Sequence, residues 1–240
     1  MKCMRIFHNK IKENLIEKYA KGRLLDLGVG RGGDMHKWKK CGIEEVIGVD
    51  ISKEYVYEAI RRYKTCYKNE HKYKFYYMSE NEMYTLFLQK KNISTKFDTI
   101  TSMFSFHYFC KSDITLDNIL RQISESLNKG GYFIGTCPDG DKIEILLGNE
   151  SKYEDDVLYI EKVHNMIRFM LIGTLYFGEE MLSEEFLVYK EWLVNKAKSH
   201  GLELVEMKSF ETMYDKYNIE LEENIKRASF LNMFFVFKKV

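Results

Sequence analysis

The sequence predicts an α/β fold, one open sheet of about seven strands with the last strand antiparallel. Three observations predict it: short apolar strand-like runs alternate with helical periodicities, a glycine-rich turn closes the first run, and a second run ends in an aspartate about twenty residues later. Each element follows from its own pattern. Ile6, Ile11, Leu15 and Ile16, with Tyr19, recur at helical spacing and predict a helix over Ile6 to Tyr19. Arg23 to Leu27 is the first strand, and the chain from Asp34 onward reads as a helix. Glu45 to Asp50 is the second strand, followed by a helix over Lys53 to Tyr67. Phe75 to Met78 and Phe97 to Met103 read as strands three and four, and Leu116 to Leu127 as a helix. Gly130-Gly131 turns the chain into a strand over Tyr132 to Thr136. The pattern then loosens from Ile143 to Phe177 into a mixture of helix, charged loop and hairpin. Ser183 to His200 reads as a helix opened by a capping serine and closed by Gly201; strands over Leu202 to Met207 and Leu231 to Phe237 end the chain.

Composition narrows the class. The 240 residues are 45% hydrophobic and 15% aromatic, enough for one sizeable core, so one domain is expected. Within it we distinguish an amino-terminal helix (5–20), a sheet core (23–137), an insertion (about 141–182) and a closing helix with strands (183–240). The 37 basic and 36 acidic side chains nearly cancel, so contact with nucleic acid must be local rather than by bulk charge. Five scattered cysteines lack the paired spacing of a zinc site, no basic-then-apolar leader precedes them, and no apolar run reaches the roughly 18 to 20 residues that span a bilayer. We expect a protein of a reduced intracellular compartment, with no metal and no membrane.

The chemistry points to the turn from Asp26 to Asp34. Gly28, Gly30 and Gly33 let the backbone approach a ligand outside the carboxyl end of the first strand, and they also satisfy the dinucleotide pattern GxGxxG. Two details favour a methyl donor. Asp26 stands two residues before the first glycine, where a carboxylate suits a sulfonium or ammonium and suits a pyrophosphate poorly; Asp34 adds a second anion at the helix start. Asp50 is placed to hold ribose hydroxyls with either ligand.

The string Gly30-Arg31-Gly32-Gly33-Asp34-Met35-His36-Lys37-Trp38 closely resembles the GxGGDLxKW signature of mRNA cap guanine-N7 methyltransferases. Further matches follow in order. Phe7 and Asn9 to Lys12 resemble the family's first helix; Arg62-Tyr63 its Arg-Tyr pair; Phe106-His107-Tyr108-Phe109 its HY element; Gly135 to Asp139 its GTxPD element; and Glu185-Phe186-Leu187-Val188 its E-[FY]-L-V element. The resemblance implies a Rossmann-like class I fold dependent on S-adenosylmethionine, with GpppN-capped RNA as substrate. It implies that Lys12, Asp26, Gly28, Gly30, Asp34, Asp50, Ser79, Met103 and Tyr108 hold the donor. Arg31, Lys37, Arg62, His107, Pro138 and Glu185 are implied on the cap side: Glu185 accepts from guanine N1 and the exocyclic amine, His107 bonds the guanine carbonyl, and the three cations meet the triphosphate bridge. No acid/base residue is nominated, because N7 carries a free lone pair; Glu185, His107 and Tyr108 position the reactants.

The resemblance further implies either a compact stand-alone enzyme or the carboxyl-terminal domain of a larger capping protein, with guanylyltransferase and RNA triphosphatase domains as partners in the same polypeptide or complex, and a cytoplasmic or virion location for a viral protein or a nuclear one for a cellular protein. The guanylyltransferase motif KxDG is absent from this chain. There are departures: His8 stands where the family has asparagine, Met78 where it has aspartate and Met103 where it has glutamine, and Leu231 to Phe235 offers no tyrosine for the guanine. Competing readings are a methyltransferase for another acceptor and a catalytically silent binding subunit. A ribose hydroxyl acceptor needs an activating lysine among carboxylates, and no such ordered set is visible; a silent domain has no need of the donor loop.

Overall fold

The computed structural model describes residues 2–67, 72–79, 82–172 and 182–240. Its main sheet contains β1 (Arg23–Leu27), β2 (Glu45–Asp50), β3 (Lys72–Tyr77), β4 (Phe97–Met103), β5 (Leu127–Pro138), β10 (Leu202–Ser209) and β11 (Asn232–Lys239), in the order β10-β11-β5-β4-β1-β2-β3. Strands β3, β2, β1, β4 and β5 run parallel; β11 is antiparallel to both of its neighbours. The expected sheet of seven with an antiparallel last strand is what the chain forms.

Parallel strands buried on both faces are largely apolar. In β1, Leu24 enters one core while Leu25 and Leu27 enter the other, and β2 divides Val46 from Ile47 and Val49 in the same way. The first face is covered by α1 (Lys2–Tyr19), α2 (Met35–Lys40) and α3 (Lys53–Tyr67). The second is covered by α4 (Tyr84–Lys90), α5 (Asp113–Ser126) and α7 (Lys190–Ser199). Helix α5 starts three residues earlier than its periodicity suggests, because Ser112 and Thr115 form a reciprocal capping box. Gly130 and Gly131 do not begin β5 but form an excursion within it, between the pairs Phe97↔Leu127 and Thr99↔Tyr132.

Residues after Pro138 build a layer of their own. Helix α6 (Gly140–Leu147) is capped by the buried Asp139, and a second sheet follows, in the order β6 (Lys152–Glu154), β7 (Leu158–Val163), β8 (Met166–Leu171), β9 (Ser183–Phe186), all antiparallel. The expected hairpin is β7–β8, turning at His164 with φ +59°. Residues 173–181, within the expected insertion, lie outside the described residues.

One element differs in kind. Ser183 to His200 is not a single helix: Ser183–Phe186 is strand β9, and helix begins only at Lys190. The Ser183 hydroxyl pairs with the Phe169 carbonyl and with Glu185 instead of capping a helix. Leu187 and Val188 are buried in the connection between strand and helix. Pairing with β8 supplies backbone hydrogen bonds that outweigh the local helix signal of two glutamates after a serine. Helix α8 (Glu223–Phe230) and the 3₁₀ turns Phe106–Phe109 and Phe210–Lys216 complete the chain.

Candidate functional site

The parallel order reverses between β1 and β4, and an open α/β sheet binds ligands at such a switch point, outside the carboxyl ends of its strands. The loop after β1 and the turn after β4 meet there. Gly28 has φ +80°, and a Cβ on it would lie 2.4 Å from Cβ of Ser105, whose hydroxyl donates to the Leu27 carbonyl at 2.6 Å. Any side chain at Gly28 would separate the two segments. Gly30, at φ +53°, has no described atom within 4 Å of where a Cβ would stand, so the loop faces open space. Its N–H donates to Oδ2 of Asp50 at 2.7 Å, and Oδ1 of Asp50 accepts from the Ser52 N–H at 2.9 Å. Asp50 thereby shapes the loop, and each oxygen keeps a lone pair for a ligand hydroxyl.

Beneath the loop lies a buried charge cluster. Asp34 binds Lys12 at 2.8 Å and Lys37 at 2.6 Å, and Lys37 also donates to Asn9 at 2.9 Å. Burial alone would raise the Asp34 carboxyl, but the two ammoniums and their hydrogen bonds hold it below the usual carboxylate range. Asp26 has the opposite balance. It is buried and accepts a hydrogen bond from the neutral Thr101 hydroxyl at 2.6 Å. Burial first, and then the nearby Asp34 charge, push it up to about 7. A carboxylate so poorly compensated is stabilised by any cation that enters beside it.

The other half of the site hangs from β4 and β9. Strand β9 packs against the turn Phe106–Phe109 and brings Glu185 to 3.9 Å from Nε2 of His107. His107 is 3% exposed, yet neither ring nitrogen has a hydrogen-bond partner among the described residues. Burial lowers its pKa, so the ring is neutral and carries one donor and one acceptor, both unused. Buried polar groups left unpaired cost about 1–3 kcal/mol each, and an orphan in this position marks where a polar ligand completes the structure. Tyr108 stacks obliquely on His107 with centroids 4.1 Å apart, and half of it is exposed. Burial and then the Glu185 charge push its phenol to about 12, so it remains an O–H donor.

The residues expected from sequence divide unevenly. Lys12, Asp26, Gly28, Gly30, Asp34 and Asp50 form the loop and its charge cluster, with Lys12 bound to Asp34. His107, Tyr108 and Glu185 face one another. Met103 is buried at the end of β4, near the Thr136 hydroxyl; Ser79 is exposed beyond β3. Pro138 is buried at the end of β5 opposite Asn232. Arg31 and Arg62 are half-exposed at the rim, Arg31 lying 4.7 Å over the Tyr55 ring and Arg62 donating to the Arg31 carbonyl at 3.2 Å.

Lys37 requires correction. Its side chain is completely buried, with its ammonium locked on Asp34 and Asn9, so it cannot meet a phosphate bridge. It falls on the inner face of α2, beside the buried Met35 and Trp38, whereas Lys39 and Lys40 are exposed. Sequence reasoning assigns no separate role to Asn9, Thr101 and Ser105, which support these groups. The run of small polar residues in β4, Thr99, Thr101 and Ser102, buried where a parallel strand is usually apolar, with Ser105 in the exit turn, is the available signal. A groove of about 620 Å³ beside the same turn, lined in part by Lys111, Asp113, Asp141 and Trp192, contains none of the expected site residues.

Comparison with known proteins shows the family and the fold. The model of the mRNA (guanine-N(7))-methyltransferase domain family matches residues 1–232. An mRNA cap guanine-N(7) methyltransferase of Drosophila melanogaster is 30% identical over 88% of this chain and 55% of its own length; one of Cryptococcus neoformans is 31% identical over 85% and 31%. A protein of Acanthamoeba polyphaga mimivirus, described as a probable mRNA-capping enzyme, is 27% identical over 89% and 22%. The chain thus spans about half or less of these relatives. Among solved structures, the CcbJ methyltransferase from Streptomyces caelestis has a TM-score of 0.66 at 18% identity, covering 98% of this chain and 95% of its own. An S-adenosylmethionine-dependent methyltransferase from Clostridium acetobutylicum has a TM-score of 0.64 at 20% identity, covering 97% and 90%. These two likenesses establish the fold.

Proposed function

Because the chain belongs to the mRNA (guanine-N(7))-methyltransferase domain family, we propose that it transfers a methyl group from S-adenosylmethionine to N7 of the guanine in a GpppN cap. The observation that carries the reading is the pair of orphaned nitrogens on buried His107 beside the Glu185 carboxylate. Guanine offers a carbonyl acceptor next to an N–H and an exocyclic amine, and a neutral imidazole with a carboxylate is complementary to that edge.

The donor half fits S-adenosylmethionine by its chemistry. Open space over Gly30, the under-compensated Asp26 and the ribose-capable Asp50 suit a molecule with a cationic amino acid group at one end and a nucleoside at the other. Lys12 is the cation available to a ligand carboxylate and would exchange part of its hold on Asp34. When bound, the donor supplies a methyl group already activated on a sulfonium. Nothing in this chain has to remove a proton, since guanine N7 attacks through its own lone pair. Its residues align and exclude water: Glu185 and His107 hold the guanine edge, Tyr108 covers the gap between the two halves, and the Glu185 charge favours the positive charge that develops on the ring. Positioning of this kind contributes about 7–11 kcal/mol in well-oriented systems. Arg31 and Arg62 at the rim take the triphosphate.

GpppN is the product of triphosphatase and guanylyltransferase chemistry, so this reading includes those activities as partners, in the same polypeptide or complex. The mimivirus relative, of which the chain spans 22%, supports it. Five free cysteines, two of them buried, support a reducing intracellular compartment, cytoplasm or virion for a viral protein and nucleus for a cellular one.

The test is methyl transfer from labelled donor to GpppA, with nuclease digestion to identify the labelled base, for the parent chain, Glu185→Ala and Asp26→Ala. The expected product is 7-methylguanine, abolished by both changes. Donor binding without labelled guanine would reject the acceptor, and no donor binding at all would reject the whole reading.

A further inference from the structure

The residue that departs from the family pattern on α1, His8, reaches neither the charge cluster nor the guanine side directly. Its Nε2 shares a hydrogen bond of 2.8 Å with the hydroxyl of Ser229, a fully buried residue on α8. Its ring stacks on Phe104, centroids 5.3 Å apart and planes 20° apart, and meets the edge of Phe210 at 5.1 Å. Burial, with the Lys12 ammonium adding to it, lowers the imidazole to about 3, so the ring is neutral.

Phe104 is a position of strain. It has φ +59°, a left-handed conformation that is strained for a bulky L-residue and persists only where its surroundings enforce it. The strain has a structural use. Phe104 is the hinge at which the chain leaves Met103 in β4 and turns toward Ser105, which supports the glycine loop, and His107, which faces Glu185. Two sets of contacts hold it. Its N–H donates to both the carbonyl and the hydroxyl of Thr136, at 2.9 and 3.0 Å, and its ring is gripped by His8 and Phe210. One helical turn after His8, on the same face of α1, Lys12 reaches Asp34 at the other half of the site.

We propose that His8 is a positioning residue for methyl transfer: it clamps Phe104 in the left-handed turn and ties α1 to α8, so that the donor half and the guanine half are set together. An asparagine at this position could bond Ser229 but has no ring to stack on Phe104. The consequence is thermodynamic coupling between the two ligands, since a donor that fixes α1 through Lys12 also fixes the turn that carries His107. This inference rests on His107 being the guanine contact.

The experiment is titration of GpppA into the protein with and without saturating S-adenosylhomocysteine, together with kcat and KM, for the parent chain, His8→Ala, His8→Phe and Ser229→Ala. The parent chain should bind GpppA more tightly with the nucleoside present, by a factor in the usual range of about 5 to 150. His8→Ala should bring that factor toward one and lower kcat about tenfold or more, while donor affinity in the absence of cap changes about twofold or less. His8→Phe, which keeps a ring against Phe104, should restore part of the coupling. Ser229→Ala, which leaves α1 untouched, should show an intermediate loss and decides the matter if His8→Ala does not fold. A lowered melting temperature with parental coupling and kcat in these variants would overturn the proposal and leave His8 a core residue. Failure of the parent chain to methylate GpppA at N7 would instead remove the reading on which it rests.

Discussion

The two halves of the site are built on opposite principles. On the proposed donor side the charges are matched: Asp34 holds two lysines, Lys37 is capped by Asn9, and Asp50 takes two backbone N–H groups. On the proposed guanine side His107 has two nitrogens without partners among the described residues, and Glu185 bonds Ser183 and approaches His107 at 3.9 Å. The first half holds its shape without a ligand; the second is finished by one. Asp26 is the exception that joins them in kind, a buried carboxylate on the satisfied side whose own compensation is incomplete. Removing a group should therefore cost activity on the guanine side and stability on the donor side, and four measurements sharpen that contrast.

The largest effect is expected from Glu185→Ala. Loss of the carboxylate proposed to hold the guanine edge should lower kcat/KM for GpppA by about 10³-fold or more, with donor affinity and melting temperature near parental values. A large fall in melting temperature would show that Glu185 holds β9 instead.

Asp34→Asn should act in the opposite way. It leaves the buried Lys37 and the partly buried Lys12 without their anion, and an uncompensated buried charge costs about 3–5 kcal/mol. Denaturant unfolding of the free protein should show this loss whether or not substrate is ever added. Parental stability would mean that Asn9 and solvent suffice.

Asp26 provides the pH dependence. Its folded value of about 7 lies above that of an unfolded aspartate, near 3.9, so the folded state binds the extra proton between them. Stability of the free protein from this group is therefore greatest below about pH 4 and declines as pH rises to about 7, above which the buried charge is fully present. Asp26→Asn should abolish that decline and stabilise the free protein at pH 8 by about 2–4 kcal/mol, while donor binding is lost. Melting curves from pH 4 to 8 for both proteins decide it; parallel curves would show that Asp26 ionises normally.

The smallest effect belongs to the rim. Arg31→Ala should raise KM for GpppA several-fold, and the difference should shrink with added salt, because a half-exposed cation is screened. An equal effect at about 0.05 and about 0.5 M salt, on the order of 5 Å or more apart in screening length, would point to packing of Arg31 on Tyr55 in place of charge.

Much of this site is legible in the amino-acid order. Gly28 and Gly30 announce a turn close to a ligand because their spacing after an apolar strand has few other uses, and both adopt positive φ. Asp50 stands at the end of β2, where the spacing puts it. Lys37 is different, because its residue type suggests a phosphate contact and only the inner face of α2 shows that it is entombed. Glu185 is reached through a motif, while the local pattern around it points to the wrong backbone. Serine followed by two glutamates is a helix start locally, and nothing within a few residues reports that β8 waits to pair with it.

The sequence by itself determined the alternation of strands and helices and the glycine loop, since each rests on short-range periodicity or spacing that a single stretch of chain contains, and the resemblance of motifs from Phe7 to Val188, met in order, pointed to the family. Only the tertiary structure decided which charges are sealed from water, which strand carries Glu185 to His107, and why Phe104 tolerates a left-handed turn. Those outcomes depend on desolvation, pairing and packing between segments far apart in the chain. His8 and Ser229, 221 residues apart, meet in one hydrogen bond that no local pattern announces.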